Sequence, residues 1–134
     1  MLLKKPQKKK TKVRILIMTQ MQQELNNIVE NMDLYNTGGR LSSSLNQMGY
    51  FANTTTVPVK EHPYDITKCV WKEGLEIHKT QVHYITPVLD MLHIKYNIMI
   101  VKRKTFPIIV FENGFHDFKL ILKNIHLIPV IGGL

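Results

Sequence analysis

Seven positive charges and no acidic residue fall within the first 14 positions, MLLKKPQKKKTKVR, and this run limits where a packed fold can begin. A like-charged block repels itself, buries nothing and stays unfolded until it meets a polyanion. The rest of the chain carries 11 basic against 10 acidic residues, so the run holds nearly all of the +8 net charge. Nucleic acid is the commonest polyanion for such a run, because each Lys placed near a phosphate releases a condensed counterion. A solubilising or targeting tail is the alternative. Mitochondrial presequences are amphipathic and rich in Arg and Ser. This run has one Arg, no Ser before Ser42 and Pro6 to break a helix, so residues 1–11 read as a retained flexible arm.

A chain of 134 residues that is 44% hydrophobic can build one ordinary domain with an appendage. Apolar runs such as Ile98–Val101 and Ile108–Phe111 are too short to span a bilayer, so no membrane partner is expected. The single Cys69 excludes an intramolecular disulfide and fits a reducing compartment.

Lys12–Thr19 alternates, with Val13, Ile15 and Ile17 on one face, and reads as a half-buried strand. Thr19 and Gln22 have capping-box spacing. Met21, Leu25, Ile28, Val29 and Met32 follow as the apolar face of a helix, predicted to bury Ile28 with Ile15 and Ile17. Gly38-Gly39 predicts its stop, and Leu41, Leu45 and Met48 a short second helix ending at Gly49. From Asn53 the chain is β-branched and punctuated by Pro58 and Pro63, which predicts an extended edge or protruding hairpin. Lys72-Glu73-Gly74 is the predicted turn, with Leu75–Ile85 extended again. Thr86-Pro87 predicts a helix start, since Pro suits the first helical position. Tyr96–Val101 and Phe106–Phe111 read as strands, the second followed by the turn Glu112-Asn113-Gly114. Phe115, Phe118, Leu122 and Ile125 predict a helix, and Leu127–Ile131 a short extended tail.

The order strand, helix, strand, strand, short helix, strand predicts an α+β chain of split βαβ, ferredoxin-like type. It would have a basic N-terminal arm at 1–11, a domain at 12–104 with a protruding middle hairpin, and an extension at 105–134 packed on the domain. That fold hosts many functions, so function has to come from particular residues.

Six histidines raise the question of metal or acid–base chemistry. None makes an HExxH or a Cys/His pair at ligand spacing, and Ser42-Ser43-Ser44 lacks the GxSxG context. No catalytic residue, metal, cofactor or small-molecule substrate is expected. Better support exists for RNA: Lys60, Lys68, Lys72 and Lys79 are interleaved with Tyr64, Trp71 and Tyr84, pairing phosphate neutralisation with stacking on unpaired bases. The predicted RNA contacts are these lysines, the arm residues Lys4, Lys5, Lys8, Lys9, Lys10, Lys12 and Arg14, and the cluster Lys102, Arg103 and Lys104.

The middle of the chain also resembles the family of the tenth protein of the small ribosomal subunit, including its divergent mitochondrial relatives. KVRILIM is similar to the family's opening strand, and Val57-Pro58-Val59-Lys60 to its L-P-T-K segment. The pattern S-P-H-V-x-K-K…F-E-x-R-T-H-K-R can be laid on Thr67–Ile85, where Val70, Lys72 and His83 coincide. Lys68-Cys69 stands at the P-H pair and Tyr84-Ile85 at the last K-R pair. The resemblance implies a non-enzymatic ribosomal protein whose hairpin reaches into ribosomal RNA and neighbouring proteins, with His83 added to the RNA contacts. It implies a mitochondrial ribosome, with the cytoplasm as the alternative location. A subunit that adds a strand to a partner sheet, or a small ferredoxin-like enzyme, are the competing readings of the residues.

Overall fold

The computed structural model describes residues 19–62, 64–102 and 105–132. The arm at 1–11 and positions 12–18 of the expected first strand lie outside the described residues, and Thr19 is helical. The chain divides into two compact units, Met1–Met32 and Asp33–Leu134.

In the first unit, residues 19–30 are helical (α1). Met21 and Ile28 are exposed, Ile28 to 59%, which corrects the expectation that Ile28 is core. Val29 of the predicted apolar face is buried and Leu25 half-buried, alongside half-buried Gln22 and Asn26, where Gln22 Nε2 donates to Asn26 Oδ1 at 3.0 Å. Two polar side chains satisfy one another there, so their partial burial leaves this donor and acceptor paired.

The second unit is α+β: α2 (Leu34–Gln47), β1 (Ala52–His62), β2 (Asp65–Ile77), α3 (Val82–Met91), β3 (Tyr96–Met99), β4 (Ile108–Phe111) and α4 (Phe115–Lys123), then a 3-10 turn at Ile125–Leu127. The four strands form one antiparallel sheet in the order β1-β2-β4-β3. β2 and β3 both run opposite to β4 and so run parallel to each other, joined through α3 with β4 between them. That is a split βαβ connection, and 108–111 supplies its inserted strand. Residues 105–134, expected as an extension on the domain, thus contribute an interior strand.

Register separates the two sheet faces, because partners share a face and neighbours along a strand alternate. Ala52, Thr54, Leu75, Ile77, Ile109 and Phe111 fall on one face. The helices cover it: Ser42 of α2 bonds Thr54, and Phe118 of α4 meets Phe111 edge-on at 5.5 Å. Tyr96 on the same face donates to Asp90 of α3 at 3.0 Å. Leu41, Leu45, Leu75, Ile77, Ile85, Leu89, Ile109 and Phe111 are all fully buried. At about 1.5–3 kcal/mol for each large side chain removed from water, this cluster dominates the stability of the unit. On the other face Val57, Ile108 and Val110 form a second cluster with Val59, Met99 and Val101 against it.

Three glycines and a proline take positions other than those their local sequence predicts. Gly38 and Gly39 lie inside α2, which starts one turn earlier at the Asp33 cap, whose carboxylate accepts Asn36 N–H at 2.7 Å. A Cβ at Gly38 would sit 3.2 Å from Thr54 Oγ1, so glycine there lets the helix approach β1 closely. Gly74 is buried within β2, and Lys72-Glu73-Gly74 makes no turn. Its missing Cβ would lie 2.6 Å from Ile108 Cγ2, so it marks a close strand contact. The hairpin reverses between His62 and Asp65 instead, which face each other in register. Residues 82–85, expected as strand, belong to α3, and Pro87 lies inside that helix. Pro87 lacks the N–H that would bond the carbonyl four residues back, on exposed His83, where water can satisfy it.

The tail after α4 is a 3-10 turn followed by an irregular segment. It packs over the end of α2: Ile131 N–H and Gly132 N–H both donate to Met48 C=O, at 3.0 and 3.2 Å. Tyr50 O–H donates to Pro129 C=O at 2.6 Å, and burial, with Tyr84 second, pushes the Tyr50 hydroxyl up to about 12.

Candidate nucleic-acid interface

β1 and β2 pair from Ala52↔Ile77 to His62↔Asp65, but β4 pairs only with Gly74–Glu76. Beyond that point the hairpin has no third strand among the described residues. Register places Pro58 opposite Trp71 and Lys60 opposite Cys69, all on the helix-side face but past the helices' reach along the sheet. Trp71 is 67% exposed and Tyr64, at the reversal, 98%. Lys60 and Cys69 are exposed too. Lys68, Val70 and Lys72 alternate onto the opposite face.

The predicted lysines are therefore not one patch. Lys60 accompanies Trp71 on one face, while exposed Lys68 lies on the other. Lys72 is half-buried in a groove of about 650 Å³ that also presents Lys95, Asp90 and Glu112. Two cations and two carboxylates balance there, so these four side chains give the groove no net charge. The Glu73 carboxyl next along the strand is raised above its ordinary range by burial.

Lys79 and His83 are exposed at the far end of the hairpin, beyond Ile77. At about 3.3 Å per residue, roughly 30 Å of strand separates Lys68 from that end. Lys102 is exposed in the connection from β3 to β4. Arg103, Lys104 and the arm residues Lys4, Lys5, Lys8, Lys9, Lys10, Lys12 and Arg14 lie outside the described residues.

At that base the fold assembles a group the sequence reading did not identify. The rings of Phe51, His78 and Phe106 form a chain, with centroids 6.2 Å apart for Phe51–His78 and 5.0 Å for His78–Phe106. His83 lies against Tyr84 at 4.1 Å on the first turn of α3. Phe51, His78 and Phe106 come from the start of β1, the end of β2 and the entry to β4, so no spacing along the chain announces them. The nearest signal was the unpaired apolar Phe51 directly before a β-branched run.

Among the described residues no group of three or more His, Cys, Asp or Glu is placed to hold a metal ion. Nor is any helix among them long and apolar enough to cross a membrane. No family model, curated protein or solved structure matches this chain.

Proposed function

We propose that this protein is a structural RNA-binding component of a ribonucleoprotein particle, with the β1–β2 hairpin as its principal contact. The observation that carries the reading is the distal half of that hairpin, which no third strand borders among the described residues. It offers Trp71 and Tyr64 to solvent, with exposed Lys60 on the Trp71 face and exposed Lys68 on the opposite one. Exposed aromatics provide a stacking surface for unpaired bases, and lysines neutralise the phosphates between them. The basic run Lys4–Arg14 adds seven charges of the same sign. The likeness of Val57-Pro58-Val59-Lys60 and of Thr67–Ile85 to the tenth protein of the small ribosomal subunit favours a ribosome, of mitochondrial type, as the particle.

Trp71 is the only tryptophan, so its emission reports directly on the hairpin. Titrating the full chain with single-stranded RNA should quench that emission, and affinity should fall steeply with salt. Trp71→Ala should weaken binding about 5- to 150-fold, the range for losing one stacked base. Absence of quenching together with a flat salt response would reject RNA as the partner. Sedimentation of the native protein with a particle containing ribosomal RNA tests the assembly itself.

Strand addition has a specific observation in its favour, located at β3. Three outward positions of β1 offer no open N–H: Ala52 donates to Asn46 Oδ1 at 3.1 Å, Thr54 donates to Ser42 Oγ at 2.9 Å, and Pro58 has none. Among the described residues β3 has no such guard. Glu112 N–H donates to Lys95 C=O at 3.2 Å, so the residues facing β4 are the odd-numbered ones. The backbone groups of Tyr96 and Ile98 then face away from the sheet, beside exposed Ile98 and Ile100. Under this reading Ile98→Pro abolishes incorporation into the particle while RNA binding by the isolated chain persists, and salt has little effect on the contact.

A further inference from the structure

A hollow lies at the base of the hairpin, at the end of its strands opposite the reversal. Phe51, Phe106, Asn46, Asn53 and Glu76 line a hollow of about 350 Å³ there. We infer that this hollow receives one unpaired nucleobase, preferentially one bearing an exocyclic amino group; the inference rests on the RNA-binding reading above and deepens it. Small-molecule sites span about 300–1,000 Å³, so a hollow at the low end admits a single planar ring system.

Phe51 is 66% exposed but rigidly held. Its N–H donates to Gln81 Oε1 at 2.8 Å, and its carbonyl accepts His78 N–H at 3.2 Å. Gln81 is itself fixed by donating through Nε2 to Gly49 C=O at 3.1 Å. An exposed aromatic whose backbone is anchored on both sides loses little further freedom on binding, which favours a recognition role over a loose surface side chain. His78 continues the aromatic surface to Phe106, and its Nδ1 accepts Thr80 N–H at 3.2 Å, which orients the ring.

The polar lining supplies an edge-reading set. Asn46 uses Oδ1 to accept Ala52 N–H at 3.1 Å, so what its amide has left to offer is donors. Glu76 places a carboxylate in the same lining, the kind of group that accepts from the amino group of cytosine. A donor and an acceptor in one small aromatic hollow match a base edge that presents a carbonyl and an amino group. Exposed Lys79 follows His78 directly and places a cation near the expected sugar–phosphate path.

The test uses the full chain with a short oligocytidine, an abasic oligonucleotide of the same length, CMP and UMP. Phe51→Ala should weaken oligocytidine binding about 5- to 150-fold without changing the salt slope, because no charge is lost. The abasic strand should not distinguish Phe51→Ala from the parent chain. Phe51→Trp in a Trp71→Phe background should keep affinity, and CMP should quench its emission more than UMP. Full oligocytidine affinity in Phe51→Ala overturns the inference while leaving RNA binding through the hairpin intact. Quenching by CMP in a chain that binds no RNA would instead retain the base site and remove the RNA reading. An exposed aromatic that serves a protein contact would give no nucleotide response at all, which also overturns it.

Discussion

Ser42 in α2 and Thr54 in β1 are joined twice: Ser42 Oγ accepts the Thr54 N–H at 2.9 Å and donates to Thr54 Oγ1 at 3.2 Å. The pair holds the helix against the outer edge of β1 at the point where Gly38 permits close approach. It also removes an outward donor from an edge strand, so the same contact both packs the sheet and blocks pairing there. Ser42→Ala should leave the Thr54 N–H without its partner and destabilise the unit by about 1–3 kcal/mol. A urea titration reads this as a lower midpoint at constant slope. An unchanged midpoint would show that the pair is dispensable.

Glycine substitutions should split by what a Cβ meets. At Gly74 it would sit 2.6 Å from Ile108 Cγ2, a side chain only 1% exposed and unable to swing away. Gly74→Ala should therefore cost about 1–3 kcal/mol through overpacking. At Gly39 nothing lies within 4 Å, and the residue is inside α2. Gly39→Ala should stabilise by about 0.5–1 kcal/mol, the helix-propensity difference. Thermal melts of the two variants moving in the same direction would contradict this reading of the β2–β4 contact.

Asp117 gives the stability of the unit a pH dependence. Burial raises its carboxyl above the ordinary range; the Asn113 N–H, donating to Oδ2 at 2.9 Å, works against that, with Glu112 raising it and His116 lowering it further. The folded chain therefore holds this proton more tightly than the unfolded chain does. Its contribution is complete below the ordinary carboxylate value and is lost as pH rises through the raised one. Asp117→Asn keeps an acceptor for Asn113 and removes the titration. Urea midpoints measured across that window should show the variant gaining on the parent chain as pH rises, then a plateau. The reverse slope would mean that the Asn113 bond outweighs burial.

The hairpin should be cut by trypsin near its reversal, after Lys60 or Lys68, and spared at Lys72. Lys72 pairs with Val57 close to the β4 junction, whereas Lys60 and Lys68 lie where, among the described residues, only two strands support each other. Such segments open locally at low cost. Single-stranded RNA should protect the distal sites. Equal cleavage at Lys72 would place the flexible part of the hairpin lower than the strand pairing indicates.

Much of the second unit was legible from local pattern. The run Ile108–Phe111 and the Phe115, Phe118, Leu122 spacing mark β4 and α4, because burial on both faces of a strand and on one face of a helix leaves distinct periodicities. The β-branched stretch from Asn53 and its prolines likewise announced a hairpin, and Pro58 falls on the edge strand at an outward position.

Tertiary contacts decided the rest. Gly38, Gly39 and Gly74 carry the same turn signal in any sequence, and only Thr54 and Ile108, distant along the chain, reveal that two of them are close-approach sites. Nothing local tells β4 to enter between β2 and β3, since that follows from which apolar strand best fills the gap once the hairpin and α3 are in place. The lysines were visible as residues, but strand alternation put Lys60 and Lys68 on opposite faces and half-buried Lys72 beside two carboxylates. His78 reads in the sequence only as one of six histidines and Phe106 only as a strand residue, because the contact of their rings with Phe51 exists only after the sheet has set its register.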